Sequence, residues 1–176
     1  MTPIFLLGYM GCGKSTLGRA LQRATDREFI DLDHYIEGRF HATISQIFAQ
    51  RGEEGFRKVE QAMLQEVAQM QDVIVACGGG TPCFFDNMEL MNRSGLTVWL
   101  TTPLERLLER LTRNRAKRPI LANKTDAELR DFVVGALEAR RPFYSQAQAE
   151  FCGSRLEDKA QITHTAQEFI DRFMPN

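Results

Sequence analysis

Eight residues near the start of the chain, Gly8-Tyr9-Met10-Gly11-Cys12-Gly13-Lys14-Ser15, satisfy the pattern G-x-x-x-x-G-K-[ST]. The apolar run Pro3 to Leu7 precedes them and the helix-patterned stretch Lys14 to Ala24 follows. The pattern therefore falls on a strand-to-helix turn, the context in which it carries physical meaning. Its glycines let successive backbone N–H groups face one concavity, where they bind phosphate oxygens. The helix starting near Lys14 adds the positive end of its dipole. In such a loop the lysine reaches the β- and γ-phosphates and the Ser15 hydroxyl serves Mg²⁺. A nucleotide held across residues 8–16 is the expectation, with Gly11, Cys12, Gly13, Lys14, Ser15 and Thr16 as contacts. What receives the phosphate is not written in this loop.

The rest of the chain repeats the strand-then-helix pattern. Phe29 to Leu32 reads as a second short strand. Asp72 to Cys77 (DVIVAC) is an unalternated apolar strand, as expected of one covered on both faces. Leu96 to Leu100 is another, with Thr-Thr-Pro behind it as a helix start. Ser45 to Met70 has helical period, interrupted around Gly52 to Gly55. Thr125 and Glu128 have capping-box spacing ahead of a helix through Arg141. Phe151 and Cys152 suit a last edge strand, and residues 161–174 a final helix. Strands alternating with helices predict an α/β fold, a parallel sheet between two helical layers. At 176 residues the chain suits one domain spanning 1–176.

Bulk composition excludes several classes. A net charge of −1 with 26% charged residues exerts no global pull on nucleic acid or a membrane surface, so any basic site is local. The four cysteines form no C-x-x-C pair and the three histidines complete no zinc spacing. A reducing cytoplasm is the expectation. No stretch approaches the ~20 apolar residues of a membrane span, and the first residues lack the pattern of a secretory signal.

Four further features bear on chemistry. The 72–77 strand ends in Cys77 and three glycines, with no acid for a metal. The nearest carboxylates are Asp31 and Asp33 in FIDLD. If that run is extended they point to opposite sides, one toward a metal and one toward a second ligand; alternatively they cap the next helix. Gly78-Gly79-Gly80 carries an entropic cost that points to a close backbone approach, or to a sharp turn needed only for packing. Residues 105 to 118 hold Arg106, Arg110, Arg113, Arg115, Lys117 and Arg118 against only Glu105 and Glu109. No aromatic residue interleaves them for base stacking. A solvated helix face is one reading, and a lid over a nucleotide's phosphates is the other. The Arg118-Pro119 break and the phosphate loop favour the lid. Finally, Asn123-Lys124-Thr125-Asp126 matches the N-K-x-D guanine reader, but no D-x-x-G switch precedes it, and Thr125 is explained as a helix cap.

Taken in order, these elements resemble the shikimate kinase family over most of the chain. GYMGCGKST resembles its phosphate loop, FIDLD its D-x-D element, and TISQIF with GEEGFRKVE its helical substrate-binding segment, about 33–61. CGGGTP is similar to its glycine triplet, KRPIL to its lid (about 112–124), and RRPFY to its R-x-x-x-Y element. The resemblance implies a parallel sheet of about five strands and transfer of the ATP γ-phosphate to the 3-hydroxyl of shikimate, a step of aromatic amino-acid biosynthesis.

By the same resemblance, Asp33 holds or deprotonates the accepting hydroxyl. Arg57 and Arg140 clamp the substrate carboxylate, and the Gly79 backbone contacts the ring hydroxyls. Arg118 reaches the ATP phosphates beside Lys14, and Asp31 orients Mg²⁺ beside Ser15. Read alone, Arg57 would be an ordinary ion pair with Glu53 or Glu60; the ordered pattern reverses that. Arg140 rather than Arg141 follows from the spacing to Tyr144. Arg155 is the candidate adenine-side contact, with Arg110 and Arg113 as further candidates for the nucleotide. Thr81 and Pro82 depart from the usual small residue after the triplet. A monomer acting on a small anion, with no nucleic acid or membrane as partner, is implied. The rival readings are another small-metabolite kinase, such as a gluconate kinase, and a nucleotide-binding switch.

Overall fold

A computed structural model describes residues 1–115 and 121–175. Lys117 and Arg118 of the expected lid lie outside these described residues.

Among the described residues, five short strands form one parallel sheet: β1 (Ile4–Leu7), β2 (Glu28–Asp31), β3 (Val73–Ala76), β4 (Leu96–Thr101) and β5 (Ala149–Cys152). Their spatial order is β2-β3-β1-β4-β5. β1 is central, with Phe5 opposite Val75 on one side and Thr97 on the other. All four of its residues are buried, which explains why it reads as an apolar run rather than an alternation. The period of two still operates, because Phe5 and Leu7 enter one core cluster while Ile4 and Leu6 enter another.

Among the described residues, seven α-helices flank the sheet: α1 (Lys14–Ala24), α2 (Leu32–Phe40), α3 (Ile44–Val67), α4 (Asn87–Ser94), α5 (Leu104–Arg113), α6 (Asp126–Tyr144) and α7 (Lys159–Phe173). Residues of α1 and α7 cover the Ile4/Leu6 face, and those of α2, α3 and α4 the Phe5/Leu7 face. Leu107 and Leu111 of α5, Leu129 and Val133 of α6, Leu121 and Tyr9 build a third cluster beside the phosphate loop. The chain moves from β1 outward to β2, returns to β3 and then crosses to β4. Loops after the central strands thus splay apart at their carboxyl ends, where ligands bind in open sheets of this kind.

Three local expectations change. β2 ends at Asp31, and Leu32 already opens α2, so Asp33 stands in the first helical turn. The two carboxylates do not alternate across a strand; the helical turn brings both to the same cavity. α6 does not stop at Arg141 but runs through Pro142 to Tyr144. Proline is costly inside a helix because it removes one N–H bond, yet here only two residues follow it, and the Ser145 N–H still bonds the Arg141 carbonyl at 2.9 Å. α4, eight residues long, has no counterpart in the sequence reading. The break in α3 is where the glycines place it: Gly52 adopts φ 66°, ψ −177°, splitting the helix just before Arg57.

Candidate active site

The phosphate loop leaves β1 and closes on α1. Gly13, the residue before Lys14, has φ +104°, in the left-handed region that glycine alone tolerates well. Any Cβ there would lie 2.4 Å from Leu156 Cδ1. Lys14 Nζ donates to the carbonyls of Gly8 at 2.7 Å and Tyr9 at 3.1 Å, so the loop itself holds the ammonium over the concavity. Gly11, Gly13, Lys14, Ser15 and Thr16 line a cavity of about 400 Å³, together with Asp31, Asp33, Gly78 and Gly79. Cys12 is buried beneath the loop and its thiol is not part of that lining.

Across the cavity stands a group of acids. The Ser15 hydroxyl donates to Asp31 Oδ2 at 2.8 Å. Burial first, then the neighbouring charges of Asp31 and Glu60, push the Asp33 carboxyl up from 3.8 to about 6, against the pull of Lys14. Glu60 is 1% exposed and doubly held: it accepts from Thr81 Oγ1 at 2.6 Å and from Arg57 Nη1 at 2.9 Å. The absence of a side chain at Gly78 is what admits this group, since a Cβ there would lie 3.2 Å from both Asp33 Oδ1 and Glu60 Oε1.

Both predicted arginines come to the glycine turn after β3. A Cβ on Gly79 would meet Arg140 Nη1 at 3.0 Å, and one on Gly80 would meet Arg57 Nη2 at 2.9 Å. Arg57 pairs with Glu60 and, more loosely at 3.6 Å, with exposed Glu53. Its Nε is buried without a hydrogen-bond partner among the described residues. Arg140 lies over the Tyr9 ring, its Cζ 5.2 Å from the ring centroid. Tyr144, one helical turn on from Arg140, donates from its hydroxyl to the Gly79 carbonyl at 2.5 Å. Arg141 points away, exposed.

The basic segment divides. Arg106 and Arg113 pair with Glu109, Arg113 also with Glu157, and Arg115 with Asp126. Arg110 instead turns inward. Its Nε donates to Glu157 at 2.7 Å, Nη1 reaches the carbonyls of Gly11 and Cys12, and Nη2 those of Gly153 and Ser154. One guanidinium thus ties the phosphate loop to the loop after β5. Arg110 and Arg113 line the cavity with Leu156 and Glu157, whereas Arg155 is exposed and outside the lining. The N-K-x-D match is a helix cap: Thr125 Oγ1 accepts from the Glu128 N–H, and Glu128 returns the bond to the Thr125 N–H.

Sequence reasoning missed Glu157 and the inward role of Arg110, because both depend on a contact across 43 residues or more. It also passed over Thr81 as a partner of Glu60 and Phe84 as a neighbour of Arg57. A polar residue directly after a glycine triplet was the available signal for Thr81.

A family model described as shikimate kinase matches residues 10–171. The chain belongs to the shikimate kinase family. A shikimate kinase of Phocaeicola vulgatus is 56% identical over 162 residues, covering 92% of this chain and 93% of that one. The crystal structure of a shikimate kinase from Bacteroides thetaiotaomicron superposes with a TM-score of 0.93 at 51% identity, covering 97% of each chain. One from Acinetobacter baumannii, in complex with shikimate, gives 0.81 at 34% identity, covering 97% of this chain and 92% of that one. Membership in this family makes the chain a kinase with ATP as the implied phosphate donor, and it decides for a shikimate kinase against the gluconate kinase and switch alternatives. The five-stranded parallel sheet is the one expected of it.

Proposed function

We propose that the cavity joins a donor half and an acceptor half, and that the chain transfers the ATP γ-phosphoryl group to the 3-hydroxyl of shikimate there. One observation carries this reading: the phosphate loop, Asp33 and Gly79 all line a single cavity. Phosphoryl transfer demands little covalent chemistry, so alignment and charge neutralisation are what the residues must supply.

On the donor side, the N–H groups of Gly11 to Thr16 cradle the phosphates and Lys14 leaves its carbonyl partners for the β- and γ-oxygens. Ser15 and Asp31 are hard oxygen donors 2.8 Å apart, and the described residues contain no cluster of three or more metal-ligating side chains. That sparse set suits Mg²⁺, which keeps waters and takes one or two protein oxygens plus substrate phosphates. Bound there, Mg²⁺ would neutralise charge on the phosphates. By family resemblance Arg118 adds a further cation on the same oxygens.

On the acceptor side, Asp33 aligns the attacking hydroxyl and takes its proton. Its raised pKa of about 6 makes it a stronger base than an ordinary aspartate while leaving it mostly ionised at neutral pH. Arg57 and Arg140 grip the carboxylate, a group that guanidinium forks match in shape. The Gly79 backbone faces the ring hydroxyls. A monomeric cytoplasmic enzyme belongs to the same reading.

The test is ADP release with ATP and Mg²⁺ against shikimate, gluconate and nucleoside monophosphates. Strong turnover with shikimate alone is expected, and comparable turnover with a nucleoside monophosphate would sink the assignment of the acceptor half.

A further inference from the structure

Phe84 and Phe85 follow the glycine turn and behave oppositely. Phe84 is half-buried, with its ring centroid 4.0 Å from Arg57 Cζ. Phe56 and Phe48 approach the same guanidinium less closely, at 5.2 and 6.0 Å. Phe85 is 56% exposed and has φ +51°. A bulky residue in that conformation is a backbone outlier, and such strain persists only where its surroundings impose it. Here they do. Gln61 Nε2 donates to Asp86 at 2.8 Å and Thr81 Oγ1 donates to Glu60 at 2.6 Å, so the loop is pinned at both ends to α3, the helix that carries Arg57. Asn87 Nδ2 holds the Thr81 carbonyl at 2.9 Å. The strained turn at Phe85 lets its own side chain leave for solvent while the preceding ring stays over Arg57.

We propose that Phe84 is a positioning residue that sets acceptor specificity: its ring fixes the direction in which Arg57 presents its fork to an anionic acceptor. Two contacts hold that guanidinium most closely: Glu60 accepts from Nη1 at 2.9 Å, and the Phe84 ring centroid lies 4.0 Å from Cζ. Glu53 and the Phe56 ring stand further off, and Gly80, having no Cβ, leaves Nη2 room beside the turn. With Glu60 as its one hydrogen-bonded carboxylate, the fork can still rotate about that bond. A ring at 4.0 Å limits that rotation, because the guanidinium is attracted to the face of the ring by its quadrupole. Ordering Arg57 before the substrate arrives lowers the entropic cost of binding it. The inference rests on Arg57 as the carboxylate's partner.

The experiment measures steady-state kinetics of Phe84→Leu, Phe84→Tyr, Arg57→Lys and the Phe84→Leu/Arg57→Lys double variant, with shikimate and with its uncharged methyl ester. Phe84→Leu is expected to raise the KM for shikimate about tenfold, the scale of a desolvated cation–π contact. Its kcat and its KM for ATP stay within about twofold, and the methyl ester responds little. Phe84→Tyr restores shikimate binding because it keeps the aromatic face, and the double variant loses less than the sum of the singles. Phe85→Gly, which takes the positive φ without strain, is expected to melt no lower and to keep the KM for shikimate. If Phe84→Leu leaves that KM unchanged, or impairs the ester equally, the positioning role is overturned while Arg57→Lys still reports on the carboxylate. If Arg57→Lys itself has no effect on shikimate, the underlying reading of Arg57 fails and this inference falls with it.

Discussion

Asp33 carries the sharpest consequences at the scale of one residue. Its carboxyl is raised because burial and two neighbouring acids disfavour the charge. The shift lies between 3.8 unfolded and about 6 folded. In that window the native state binds more protons than the unfolded chain, so stability falls as pH rises through it. Above about pH 6 the full cost is present, and below about pH 4 it is absent. Asp33→Asn is therefore expected to be more stable than the parent at pH 7.5, by up to about 3 kcal/mol, with the advantage gone at pH 4; denaturant melts at the two pH values check this. The same variant should lose at least ~100-fold in kcat while binding ATP normally. Collapse of nucleotide affinity would mean that the aspartate serves the donor half. In the parent enzyme, kcat/KM for shikimate should fall below about pH 6 as this carboxyl protonates.

At the scale of elements, each boundary is as legible as the local chemistry that sets it. β1, β3 and the start of α1 were readable because apolar runs and the Gly-Lys-Ser turn are local signals. The break at Gly52 was readable for the same reason. The exchange of strand for helix between Asp31 and Leu32 was not, since FIDLD has no breaker and the switch follows from packing Leu32 and Ile36 into the core. α4 was missed because its eight residues follow two aromatics that suit a strand. The helix cap at Thr125 offers a direct check on the N-K-x-D coincidence. Thr125→Ala is expected to cost about 1 kcal/mol of stability by removing a reciprocal capping pair. Relative use of ATP and GTP should not change. A shift in that preference would restore the motif as a base reader.

At the scale of the whole molecule, the site is assembled by contacts that sequence order hides. Asp33, Arg57 and Gly79 were nameable one by one. The Tyr144 bond to Gly79 crosses 65 positions and that of Arg110 to Gly11 crosses 99, so neither leaves a local pattern. Arg110 is the widest of these links, because its five hydrogen bonds join α5, the phosphate loop and the loop before α7. Its Nη1 serves the phosphate-loop carbonyls of Gly11 and Cys12 and its Nη2 those of Gly153 and Ser154, so replacing the fork with a single ammonium cannot satisfy both loops. Arg110→Lys is therefore expected to lower the melting temperature of the free chain by several degrees, at about 2–4 °C per kcal/mol for a domain of this size. Nucleotide binding couples to the same link, because Arg110 and Gly13 line one cavity. ADP at 100 times its Kd should stabilise the parent by about 2.7 kcal/mol, and at that same ADP concentration Arg110→Lys should show a smaller rise in melting temperature. An unchanged ADP-dependent rise in the variant would confine Arg110 to holding the fold, with no part in preparing the donor half.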